Sequence, residues 1–204
     1  MSLEFEVFKH TDHSLRSDAS YVGTYVFRQH GKDVYSLPLR SKHQFPQECQ
    51  LLDTSGHGVL DLSIRKEGSL IKKPVLYFVK SGDVLGKYQS KAFVNPRGDV
   101  IWKAVDPSSL SKQILRTMAE GDTPHYGFLA ADQKTVMATM TRESISASLP
   151  WPLSIAEKIA KAAASSGDQK VYSLVFNDAK VAPEPILAAS ALLAEYKESS
   201  NPAL

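Results

Sequence analysis

The sequence predicts a mainly β, α+β domain in which about a dozen short antiparallel strands close into a barrel around a hydrophobic C-terminal helix, with two accessory helices. Two observations carry this expectation. Short β-branched and aromatic runs recur along most of the chain, broken by Gly, Asp, Asn and Pro, which is the pattern of strands joined by turns. Near the end, Ile186 to Ala194 reads ILAASALLA, with Ser190 as its one polar residue. A helix that is apolar all round must be covered on every side. This one, over 186–198, is about 20 Å long at 1.5 Å per residue, too short to cross a bilayer and long enough for the axis of a small core. A sheet of about twelve strands leaves an interior too wide for its own side chains, and the helix would fill it.

In chain order, the strands are expected at 3–8, 21–28, 34–39, 49–52, 59–65, 75–80, 84–94, 100–105, 125–130, 135–141, 144–149 and 170–177. Four stretches, QHGKD, DTSGHG, KSGD and NPRGD, place Gly31, Gly56, Gly82 and Gly98 where a hairpin turn calls for positive φ. A weak echo joins LLDTSGHGVLDLSIRK, AFVNPRGDVIWKA and FLAADQKTVMATMTR: an apolar pair, an Asp or Asn, a turn and a Val, each reading as one hairpin. The spacing of the echo is too irregular for a solenoid. Ser108 or Ser109 caps a helix over 108–120 that Gly121 closes. A second helix over 152–165 starts at Pro152 or Ser154 and puts Ile155 and Ile159 on one stripe, with Lys158 and Lys161 on the other. The chain reads as a single domain over 1–204.

Composition limits the functional classes. A net charge of +2 gives no bulk attraction to nucleic acid, which is not expected as a partner, so any anionic ligand must meet a local patch. The one cysteine, Cys49, cannot form an internal disulfide, and MSLEFEVF mixes acids with its apolar residues, unlike a secretory leader. Cytoplasmic residence, with a peripheral place at a membrane, is the expectation. The oligomeric state is not legible.

No phosphate loop, dinucleotide fingerprint, paired-cysteine zinc pattern or nucleophile elbow occurs, so no cofactor, metal or catalytic residue is assigned. His10, Asp12 and His13 would need a distant third ligand to hold a metal. Ser55 and His57 share a Gly-flanked loop that lacks the third, orienting group of a nucleophilic site. Cys49, before an apolar pair, reads as a small hydrophobe. The RGD at 97–99 reads as a hairpin turn. The main functional signal is basic: Lys72, Lys73, Lys80, Lys87, Lys91, Arg97 and Lys103 crowd the middle of the chain. Such lysines either protect exposed strands from aggregation or, gathered on one face, hold an anionic head group.

The stretches CQLLDTSGHGVLDLSIRK, HYGFLAADQKTVMATMTR, VYSLVF and ILAASALLAEYK give the chain a resemblance, over 20–198, to the tubby-like superfamily of Tubby C-terminal domains, phospholipid scramblases and LURP-one-related proteins. It implies a twelve-stranded barrel around the C-terminal helix. The lysine–arginine pair with which Tubby proteins hold phosphoinositides has no match here, nor has the calcium-binding or palmitoylated segment of scramblases, and the helix at 152–165 looks like an insertion. The expected function is non-enzymatic binding of anionic phospholipid head groups, through Lys72, Lys73, Lys87, Lys91 and Arg97, or of a protein partner. The alternative is a hydrolase-type site at the barrel mouth using His57 or His125.

Overall fold

A computed structural model of the chain describes residues 2–10, 21–40, 47–67, 73–105, 126–141, 169–178 and 180–199. Twelve strands alternate in direction: β1 (Leu3–His10), β2 (Tyr21–Gln29), β3 (Lys32–Arg40), β4 (Gln47–Asp53), β5 (Gly58–Glu67), β6 (Lys73–Lys80), β7 (Asp83–Gln89), β8 (Ala92–Val94), β9 (Val100–Val105), β10 (Tyr126–Ala130), β11 (Val136–Thr141) and β12 (Gln169–Phe176). Every pair is antiparallel, and β1 pairs with both β2 and β12, so the meander closes on itself as a barrel. Helix α1 (Pro183–Ser199) follows.

The helix lies inside. Ile186, Leu187, Ala188, Ala189, Ser190 and Ala191 are fully buried, in one cluster with inward-facing residues of the strands such as Phe5, Phe27, Leu62, Phe78, Phe128 and Leu174. Ser190, the polar exception in the apolar run, is satisfied where it sits. Its Oγ donates to the Leu187 carbonyl at 2.7 Å, which occupies its one proton, so Tyr172 Oη donates to Ser190 Oγ at 2.9 Å. Burial pushes the Tyr172 phenol well up from its ordinary range. The helix begins three residues before the predicted start because Pro183 and Pro185 fall in its first turn, where a missing N–H leaves no bond unmade.

Small helix residues are matched by large wall residues. Phe78 of β6, Phe93 of β8, Trp102 of β9 and Phe128 of β10 form a chain of rings 5.2–5.5 Å apart, edge-on or stacked. Gly86 makes room for it: a Cβ there would lie 2.3 Å from the Val94 carbonyl oxygen and 2.9 Å from the Phe93 ring.

A meander sends its connections to alternate rims. One rim receives the turns after even-numbered strands, and all four predicted turn glycines adopt positive φ there, at 74°, 78°, 88° and 95°. Three of its turns, those of the echo, are held by a side-chain oxygen. Asp53 Oδ1 accepts the N–H groups of Ser55 and His57, Asn95 Oδ1 those of Arg97 and Asp99, and Asp132 Oδ1 those of Lys134 and Thr135. The helix enters at this rim, where Glu184 in its first turn meets Lys80 at 3.9 Å. The opposite rim carries the turn between β7 and β8 and the strand ends whose connections, 11–20, 41–46, 68–72, 106–125 and 142–168, lie outside the described residues.

That last turn corrects one expectation. The run 84–94 is two strands, joined through Ser90 and Lys91 at φ 52° and 65°. Without Gly, Asn or Pro it carries no turn signal, and the Lys91 carbonyl is held by the Ala104 N–H of β9 at 2.7 Å. The predicted strand at 144–149 and the helices at 108–120 and 152–165 lie outside the described residues.

Candidate functional site

The register gathers most of the predicted cations at the rim opposite the helix entrance. On β5, Leu60, Leu62 and Ile64 point inward, which turns Arg65 and Glu67 outward at the strand's end. Lys73 opens β6 opposite Glu67, and Tyr77 lies between Ser63 of β5 and Lys87 of β7. Lys87 is followed across the sheet by Val94, and Ala92 by Lys103. Lys91 stands at the β7–β8 turn with its ammonium 5.7 Å from the centre of the Tyr126 ring. Neighbouring strands β5 to β9 therefore place Arg65, Lys73, Lys87, Lys91 and Lys103 around one sector of the same rim, with Glu67 among them.

Arg97 is not in that sector. It lies in the β8–β9 turn at the opposite rim, its N–H taken up by Asn95. Lys72 falls outside the described residues. Lys80 is also at the far rim, beside Glu184.

Glu67 organises the centre of the cluster. It accepts a short hydrogen bond from Tyr77 Oη and lies 4.0 Å from the Lys87 ammonium, while the Arg65 guanidinium sits 5.6 Å from the Tyr77 ring centre. The bond to Glu67, then burial, raise the Tyr77 phenol above its ordinary range, so it stays a protonated donor at neutral pH. Tyr77 faces outward because it is adjacent on one strand to Phe78, which is buried in the core.

The remaining candidates are loop residues. His57 is 82% exposed, with Nδ1 3.8 Å from Asp53 Oδ2, and Asp53 is engaged in closing the turn. The N–H of His57, foremost, and then that of Ser55 hold the Asp53 carboxyl below its usual range. His10 ends β1, and Asp12, His13 and His125 lie outside the described residues. No group of three metal-ligating side chains occurs among the described residues, and none of their helices is long and apolar enough to span a membrane.

One feature escaped the sequence. β3 and β4 pair only at Tyr35↔Asp53 and Ser36↔Leu52, and beside this seam a groove of about 550 Å³ crosses the outer wall. Glu48, Gln50, Asp61, Ser63 and Arg65 give it polar walls, and Pro38, Leu52 and Val79 apolar ones. Alternation along β5 predicts Asp61, Ser63 and Arg65 on one face, but nothing local announces where a ladder stops.

The fold defines the class: a closed, twelve-stranded antiparallel barrel with a helix as its core. A solved structure with this architecture is the X-ray structure of a protein from Arabidopsis thaliana, AT5G01750, which aligns over 96% of this chain and 92% of its own with a TM-score of 0.52. At 10% identity the likeness is one of fold. No family model matches the chain, and no curated protein matches it.

Proposed function

We propose that this chain is a non-enzymatic, tubby-like binding module that docks on anionic phospholipid head groups through the basic rim of β5 to β9. The observation that supports it most is the register, which sets Arg65, Lys87 and Lys103 outward on the alternate strands β5, β7 and β9, with Lys91 at the β7–β8 turn. Side chains spread in this way meet a surface or a multiply charged head group better than a single small anion. Lysines beside an acidic membrane contribute about 1 kcal/mol each, and the attraction is screened within a Debye length of about 10 Å at 0.1 M salt.

Sedimentation with vesicles tests the reading. The protein should bind phosphatidylserine vesicles, ignore phosphatidylcholine vesicles and lose binding as salt rises. Reversing Lys73, Lys87 and Lys91 to Glu together should weaken binding by about a hundredfold or more on the scale of 1 kcal/mol per lysine. Equal sedimentation of the triple variant and the parent would contradict the site, and binding to neutral vesicles would contradict its chemistry.

A further inference from the structure

The groove beside the β3–β4 seam has a charge order of its own and shares only Arg65 with the basic rim. Along the outer face of β5 it reads Asp61, Ser63, Arg65: an acid, a hydroxyl and a base at alternate residues. Across the ladder, Gln50 lies opposite Asp61 and Glu48 opposite Ser63, so a carboxylate marks one end, a guanidinium the other, and Glu48 stands midway between them on the neighbouring strand. Asp61 to Arg65 spans about 13 Å of strand.

The groups at the two ends keep spare capacity. Gln50 Nε2 donates to Asp61 Oδ1 at 2.6 Å, its amide lying across Gly58, where a Cβ would come within 3.1 Å of it. Asp61 Oδ2 and the exposed Glu48 carboxylate have no partner among the described residues. At the other end, Arg65 Nε donates to Ser63 Oγ at 3.0 Å and the guanidinium lies by the Tyr77 ring, and its terminal nitrogens have no hydrogen-bond partner among the described residues. The walls between are partly apolar, from Leu52 and Val79, and the volume is that of a small-ligand site.

We infer that the groove binds a short zwitterion of peptide size, its ammonium on Asp61 and its carboxylate on Arg65. An extended tripeptide is about 10 Å long, which fits the interval once the side chains reach inward. Both free ends are required, so the ligand is a small molecule and not an internal segment of a partner protein.

Titration of the full chain with trialanine, followed by amide chemical shifts, tests this. Trialanine should move the signals of Gln50, Asp61 and Ser63, and should slow alkylation of Cys49, which lines the same groove. Acetylated, amidated trialanine should bind about tenfold more weakly or worse, as expected for losing hydrogen bonds between charged groups. Asp61→Asn and Arg65→Met should each weaken trialanine binding by a similar factor while the melting temperature holds. Vesicle binding by the Asp61→Asn variant should be unchanged, which separates this site from the basic rim. Equal binding of the blocked peptide, indifference to both substitutions, or no shifts at millimolar trialanine would each overturn the proposal.

Discussion

The two rims of the barrel are built by different means. At the helix entrance, four hairpins close on left-handed glycines and the β10–β11 turn on left-handed Gln133, and in three of the five the oxygen of Asp53, Asn95 or Asp132 ties down the following N–H groups. Each turn is self-sufficient, specified by four or five neighbouring residues. The opposite rim has one described turn, Ser90–Lys91, held from outside by the Ala104 N–H, and it collects the cations. On the proposed function, the first rim serves closure and the second serves contact. Substitutions at the first should therefore change stability alone, and charge changes at the second should change binding alone.

Four substitutions or titrations sharpen or break this division. The largest effect is expected at the core both rims share. Leu187→Ala should cost about 2–5 kcal/mol, read from denaturant midpoints, because an enclosed helix cannot collapse onto the space it leaves. An unchanged midpoint would mean that the helix is not enclosed. Next is Gly86→Ala, expected to cost about 1–3 kcal/mol, since the new methyl meets the Val94 carbonyl and the Phe93 ring. Because it displaces β8, it should also weaken vesicle binding through Lys91.

Asn95→Ala removes an acceptor from two N–H groups at the entrance rim and should cost about 1 kcal/mol while vesicle binding stays as it was. A loss of binding there would erase the division. The smallest effect is a pH dependence. Thr135, by its hydroxyl first and then its N–H, with the N–H of Lys134, holds the Asp132 carboxyl at about 2, below its ordinary 3.8. A depressed folded value means that the turn is favoured above about pH 4 and loses that support as pH falls through 2. The Asp132 carboxyl followed by its own carbon resonance should titrate near 2, and a midpoint near 4 would show that the cap is not formed.

Much of the fold was legible because its signals are local. Ile186–Ala194 demanded enclosure, four glycines marked four turns, and the echo marked three side-chain-capped hairpins. Ser90–Lys91 was hidden because its left-handed residues are held by β9, far along the chain. The basic cluster was visible as composition, but its division was not. Lys91 and Arg97 stand six positions apart and lie at opposite rims, because β8 runs between them. The groove was invisible for a related reason: where β3 leaves β4 depends on curvature of the whole wall.

Enclosure of the helix is the claim on which the rest stands, and hydrogen exchange of the isolated monomer measures it directly. The amides from Leu187 to Ala194 should exchange only with global unfolding, as slowly as those of Phe78 and Leu174 in the wall. Exchange at the rate of a frayed terminus, while the strands remain protected, would contradict it.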